Sequence, residues 1–140
     1  MNNAGVLQGN LDDILKTNLY GVKLMCGAFL HLIDVSNGRI VNVSSEMGSS
    51  YVRSLKKEHQ KFFTRTEVTW EQIEEYLKQN VIQVTGKWDN YGLSKACLNS
   101  YTMALANEHP NILSSAVHPG FCDTHMTAGM GANRTAEQGC

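Results

Sequence analysis

The sequence predicts an α/β domain, part of a doubly wound parallel sheet with about three strands and flanking helices. Two observations carry that prediction. Short runs with β-branched residues, Arg39–Ser44 and Ile112–Val117, alternate with long segments of helical period, and strands that alternate with helices pair in parallel through crossovers. Polar or sharp-turn residues follow each run, Ser44-Ser45 after the first and Pro119-Gly120 after the second, and Asn2-Asn3 is placed as if after a strand of its own. In such sheets ligands sit beyond the carboxyl ends of the strands, so these segments are expected to converge on one edge.

The elements follow in chain order. Residues 6–10 read as a loop. From Leu11 onward Ile14, Leu15, Leu19, Val22, Met25, Cys26, Phe29, Leu32 and Ile33 recur near a period of 3.6, the pattern of an amphipathic helix. Asn10 can cap its start, and Ser36-Asn37-Gly38 punctuates its end. Arg39–Ser44 reads as a buried strand, with residues 45–50 as a polar loop off its carboxyl end. Residues 51–88 form a mixed, charged insertion, in which Thr69-Trp70-Glu71-Gln72 reads as a capping box opening a helix to about Asn80. A further helix is expected from about Tyr91 to Asn107, with Leu98, Thr102 and Leu105 on its inner face, stopped at His109-Pro110-Asn111. Ile112–Val117 is a second apolar strand, and residues 123–140, rich in Gly, Thr and Ala, read as loop.

Composition narrows the class. A hydrophobic share of 42% and a charged share of 18% fit one ordinary globular domain over residues 1–140. Twelve basic residues against thirteen acidic ones give net −1 with no charge block, so neither nucleic acid nor an anionic membrane is an expected partner. The most apolar stretch, residues 19–33, is interrupted by Lys23 and His31 and is too short to span a bilayer. The first residues show no charged region leading into a long apolar core, so no signal peptide is expected. Cys26, Cys97, Cys122 and Cys140 show no paired spacing, which points to free thiols in a reducing, cytoplasmic setting. Cys122-x-x-His125 is the one ligand-like pair. Two ligands do not make a tetrahedral site, and no metal is expected.

The chemistry centres on Tyr91 and Lys95. One helical turn places residues i and i+4 on the same face. A fixed ammonium beside a phenol favours phenolate and lowers its pKa, making Tyr91 a candidate proton donor to a carbonyl under reduction. Ser45 closes the strand, where a hydroxyl can donate to an oxygen that gains negative charge; a strand-end turn serine is the plainer reading. Asn18 lies on the apolar stripe of the first helix, where an unpaired amide costs roughly 1–3 kcal/mol; a buried asparagine bonded to backbone is the plainer reading there. Trp70, Trp88 and Tyr76 can wall an apolar pocket or simply pack.

Asn2-Asn3-Ala4-Gly5, Gly38-Arg39-Ile40-Val41-Asn42-Val43-Ser44-Ser45, Tyr91-Gly92-Leu93-Ser94-Lys95 and Val117-His118-Pro119-Gly120-Phe121-Cys122-Asp123-Thr124 occur in this order. Together they resemble the short-chain dehydrogenase/reductase family, and the long segment between Ser45 and Tyr91 looks like that of its monomeric carbonyl reductases. The resemblance implies a partial Rossmann-like fold and a catalytic set of Asn18, Ser45 rather than Ser44, Tyr91 and Lys95. It gives Lys95 a second task, bonding the nicotinamide ribose, and gives Asn18 a water on a proton relay. Asn3, Ala4 and Gly5 would border the cofactor. Pro119, Gly120, Cys122 (through its backbone) and Thr124 would lie beside the nicotinamide.

The resemblance further implies NADPH as cofactor, a ketone, aldehyde or quinone as substrate, and a monomer, because the insertion covers a helix face that other members use to pair. By the same likeness the chain begins at the end of the fourth strand. No Gly-x-x-x-Gly-x-Gly follows a strand, so the turn that holds the pyrophosphate at a helix N-terminus is not expected within it. The likeness also ends before the family's last helix and strand. A different class of reading is a catalytically silent fragment, unstable alone or associating with a full-length reductase.

Overall fold

The computed structural model describes residues 1–80 and 88–139. Cys140 and residues 81–87 of the insertion lie outside the described residues. The order is α1 (Leu11–Leu15), a π-helical stretch (Lys16–Gly21), α2 (Val22–Phe29), a 3-10 turn (Leu30–Leu32), β1 (Arg39–Val43), α3 (Glu46–Ser54), α4 (Lys57–Thr64), α5 (Trp70–Asn80), α6 (Asp89–Glu108) and β2 (Leu113–Val117). Two 3-10 turns, His125–Thr127 and Glu137–Gly139, follow.

β1 and β2 pair in parallel, from Arg39 opposite Leu113 to Val43 opposite Val117. Residues 44–112 supply the crossover that parallel pairing requires. A third strand was expected. It is reduced to one parallel bridge between Asn2 and Asn42, in which Asn2 N–H donates to the Val41 carbonyl at 2.7 Å and Val43 N–H to that of Asn2 at 2.9 Å. β2, read as an apolar strand, leaves part of its apolar surface open: Leu113 is 55% and Val117 43% exposed. Parallel strands are normally covered on both faces, and here β2 lies at an edge of the sheet.

The first helix starts as predicted, with Asn10 Oδ1 accepting from Asp13 N–H at 2.9 Å. It is not regular throughout, because the backbone widens into a π turn around the buried Asn18 and Leu19. Such insertions often mark functional positions. Residues 45–50, expected as a loop, instead open α3. Ser45 caps it, accepting from Met47 N–H at 3.2 Å, with Glu46 in the first turn, where an acid suits the helix dipole. Gly48, Ser49 and Ser50 are weak helix formers; packing on α6 outweighs that weakness. The capping box at α5 forms as read: Thr69 N–H donates to Gln72 Oε1 at 3.1 Å, and Gln72 N–H to Thr69 Oγ1 at 3.4 Å.

α6 is the central helix, buried nearly all round from Tyr91 to Leu105. A helix that is wrapped on every side must be small or apolar where neighbours come closest. Gly48 is such a point: a Cβ there would lie 2.9 Å from Ala96 N and Lys95 C. Gly92 is another, with Tyr51 Cβ 2.8 Å from where its own Cβ would be. Gly48→Ala is therefore expected to cost about 1–3 kcal/mol by overpacking against rigid backbone. Urea unfolding measures this, and an unchanged midpoint would show that α3 can slide off α6 freely.

The insertion's α5 packs across α1–α2 and α6. Trp70 meets Tyr20 edge-on at 5.7 Å and Tyr101 at 5.4 Å, and Lys23 Nζ sits 4.8 Å from its ring. Tyr76 stacks on Phe62 at 4.3 Å and reaches His59 Nδ1 at 3.2 Å. Both aromatics are thus packing residues of the insertion.

Candidate active site

The site forms where the carboxyl end of β1, the start of α3, the π turn and the first turns of α6 meet. Lys95, one turn after Tyr91 on α6, is 3% exposed. Its Nζ donates to the Val43 carbonyl at 2.8 Å and lies 5.6 Å from the centre of the Tyr91 ring. Burial pushes the Lys95 pKa down to about 8, since desolvation disfavours the charged form. An ammonium carries three donors, and Val43 takes one of them.

Tyr91 is 9% exposed, and burial raises its phenol above the ordinary value, while a hydrogen bond from Ser45 pulls it back. This corrects the sequence expectation that Lys95 lowers it. In this fold desolvation is the larger influence on the phenol, and the hydrogen bond that opposes it comes from the Ser45 hydroxyl. Ser45 can serve both helix and phenol, because its oxygen accepts the Met47 N–H while its own proton remains free to donate.

Asn18 is fully buried, and its side chain clamps backbone. Oδ1 accepts from Val6 N–H at 2.8 Å, while Nδ2 donates to the Val6 carbonyl at 2.9 Å and to Ser94 Oγ at 3.0 Å. Ser94 in turn donates to the Tyr91 carbonyl at 2.8 Å. The amide is thus bonded to backbone, as the plainer reading had it, and it also ties the π turn to the Tyr91–Lys95 turn. Gly5 lies at this junction: a Cβ there would sit 3.5 Å from Asn18 Oδ1 and 3.7 Å from Lys95 Nζ. Asn3 and Ala4 are exposed beside it. Ser94 and the Val43 carbonyl belong to this cluster and were not singled out from sequence; the only signal was their adjacency to Lys95 and Ser44.

The segment from Pro119 is organised on itself. Gly120 has φ +91°, a conformation that favours glycine. Arg134 Nη1 donates to the Pro119 carbonyl at 3.3 Å, and Asp123 N–H to that of Arg134 at 2.7 Å. Cys122 is buried with Sγ 3.4 Å from the Pro119 carbonyl, while Thr124 is exposed and bonded to Thr127. The hydrogen bonds described for residues 119–139 run within that segment, so Pro119, Gly120, Cys122 and Thr124 are not tied to Tyr91 or Lys95 by any of them. Among the described residues no three or more His, Cys, Asp or Glu side chains converge. No helix among them is long and apolar enough to cross a membrane.

A parallel sheet with crossover helices, with Ser45 and the buried Tyr91 and Lys95 past the carboxyl end of β1, is a partial Rossmann-like fold. No protein-family model matches the chain. It is 36% identical over 140 aligned residues to salutaridine reductase of Papaver bracteatum, taking in 91% of this chain and 44% of that protein. It is 38% identical over 128 residues to (+)-neomenthol dehydrogenase of Arabidopsis thaliana, 82% of this chain and 43% of that protein. Against carbonyl reductase (NADPH) 1 of Mus musculus it is 30% identical over 162 aligned residues, 99% of this chain and 58% of that protein. It is also 35% identical over 140 aligned residues to short-chain dehydrogenase/reductase 1 of Saponaria officinalis, 91% of this chain and 46% of that protein, so the chain is similar to part of the domain of short-chain dehydrogenases/reductases, relatives that are oxidoreductases by name. It spans between 43% and 58% of the length of these curated relatives.

Proposed function

We propose that residues 1–140 carry the acid–base portion of an NADPH-dependent carbonyl reductase acting on ketones, aldehydes or quinones. On this reading they are part of one dinucleotide-binding domain with an insertion at about 51–88. The observation that supports it is the cluster in which the half-buried Ser45 hydrogen-bonds the buried Tyr91 and Lys95 stands one turn away with unused donors. NADPH would supply the hydride. The residues present fit its nicotinamide ribose: Lys95 has two donors beyond Val43, and Gly5 leaves the ammonium's flank without a side chain. Asn3, Ala4 and Gly5 would border it, with Pro119, Gly120, Cys122 and Thr124 at the nicotinamide.

In this mechanism Ser45 donates to the carbonyl oxygen as negative charge develops there. Tyr91 gives that oxygen its proton, completing the alcohol. The resulting phenolate is stabilised by the Lys95 ammonium and regains a proton along a relay that Asn18 helps to hold. The α5 packing over Tyr20 and Tyr101 favours a monomer, since it covers the α1–α2 and α6 surface. The three thiols among the described residues, all free and buried, are compatible with a cytoplasmic setting.

A second reading is favoured by a specific surface. Leu24, Met25, Phe29 and Leu32 lie on α2 and its 3-10 extension at 72%, 49%, 51% and 68% exposure, and clustered exposed apolar side chains are the kind of surface that docks a partner. On that reading the chain is catalytically silent and docks on a full-length reductase. One experiment separates the two. The reductase reading expects NADPH to raise the melting temperature of the chain, weakly, because no Gly-rich turn for the pyrophosphate lies within the sequence. Protection by a full-length reductase and none by millimolar NADPH would favour the silent partner instead.

A further inference from the structure

We propose that Asn99 is a positioning residue for the Ser45–Tyr91 pair, acting through Ser44 to fix the strand-to-helix turn that carries Ser45. The inference rests on the reading of Ser45 and Tyr91 given above.

α3 and its leading turn lie along α6 in opposite chain directions, meeting it about once per turn. Ser44 meets Asn99, Gly48 meets Lys95 and Ala96, and Met47 with Tyr51 meets Gly92. At the Gly48 and Gly92 contacts backbone is close to backbone or to a Cβ, which sets how near the helices come. Such contacts carry no directional bond to stop one helix sliding along the other. The Ser44–Asn99 hydrogen bond supplies that bond: Ser44 Oγ donates to Asn99 Oδ1 at 2.6 Å, with Ser44 7% exposed. Its other acceptor, the Lys95 carbonyl, is at 3.5 Å, too long to replace it.

The backbone on the other side of the turn is held as well. Ser44 N–H donates to the Val117 carbonyl at 2.7 Å, so the sheet fixes one side of Ser44 and Asn99 the other. Ser45 comes next with extended backbone, φ −156° and ψ 150°, and its side chain is aimed by where Ser44 is pinned. Asn99 is two turns along α6 from Tyr91 and does not touch the reacting atoms. It borders a small cavity with Ser49, Val52 and Phe63.

The test uses the full chain labelled with [13Cζ]tyrosine, whose five tyrosines are sorted by assigning Tyr91 with Tyr91→Phe. Removal of the serine donor in Ser45→Ala is expected to displace the Tyr91 resonance at pH 7 and move its titration to higher pH. Asn99→Ala and Ser44→Ala should each give at least half of that displacement in the same direction. The double variant should add nothing to either, and Ser44→Thr, which keeps the hydroxyl, should restore the parent spectrum. Displacement in Ser45→Ala with none in Asn99→Ala, in chain that keeps its helical circular dichroism, overturns the role of Asn99. So does an additive double variant. No displacement even in Ser45→Ala overturns the Ser45–Tyr91 pairing itself, a separate failure.

Discussion

Tyr91→Phe is expected to remove whatever NADPH-dependent quinone reduction the chain supports, by a factor of about 10²–10⁴, the contribution of a positioned general acid. Stability should barely change. The ring stays buried, and the partner of the lost hydroxyl, Ser45, keeps its bond to the Met47 N–H. The distinguishing measurement is NADPH oxidation at 340 nm beside a urea melt of the same variant. Turnover that persists in Tyr91→Phe within a few-fold of the parent would exclude Tyr91 as the acid. Ser45→Ala should lose less than Tyr91→Phe, since the serine stabilises charge and does not deliver the proton.

The second large effect is on stability, and its sign runs against intuition. Burial lowers the Lys95 pKa from 10.5 to about 8. Below pH 8 the ammonium is charged in folded and unfolded chains alike, and the whole cost of burying it weighs on the folded state. Between pH 8 and 10.5 the unfolded chain binds more protons than the folded one, so this group's contribution to stability rises with pH. The change amounts to up to about 3 kcal/mol. Tyr91, Tyr51, Tyr101 and Cys97 act in the opposite sense. Burial raises their pKa values, so their contribution falls as pH rises past the values those groups have when unfolded.

Comparing the parent chain with Lys95→Met at each pH cancels these opposing groups. The variant loses the bond to Val43, which costs about 1–3 kcal/mol for a stranded buried carbonyl, but it no longer buries a charge. The stability difference between variant and parent should therefore be most favourable to the variant near pH 7 and turn against it by up to about 3 kcal/mol toward pH 10. Urea midpoints at pH 7, 8.5 and 10 read this directly. A difference that stays flat across that range would mean that Lys95 is solvated in solution. The same lowered pKa bears on chemistry, because an ammonium titrating near 8 loses its charge, and its ability to stabilise phenolate, at mildly alkaline pH.

The long elements were legible because their signals are local. Asn10, the Thr69–Gln72 box and the His109-Pro110 stop each act within a few residues, and each falls where the sequence placed it. The start of α3 was not legible, because Gly48-Ser49-Ser50 is a poor helix by propensity and becomes one through contact with a helix some fifty residues away. The π turn was likewise hidden, since its apolar spacing stays near that of an ordinary helix while Asn18 turns inward to clamp Val6.

Of the candidate site, the order and spacing of residues were enough to name Tyr91, Lys95, Ser45 and Asn18 together, and the fold brings these four to one place. Their electrostatics were not readable that way. Spacing says that a lysine is one turn from a tyrosine; it does not say how much water either one keeps. In the folded chain Lys95 is almost dry, its charge turns partly toward the Val43 carbonyl, and Tyr91 is governed by burial and by a serine.

By itself, then, the sequence determined which chemical groups this protein owns and the period on which its helices and strands are built, because period, caps and turn residues are properties of neighbours in the chain. The tertiary structure alone decided how acidic the phenol is, how costly the ammonium is and which serine faces which. Those follow from desolvation and from hydrogen bonds between residues 12 to 76 positions apart, and no local pattern encodes them.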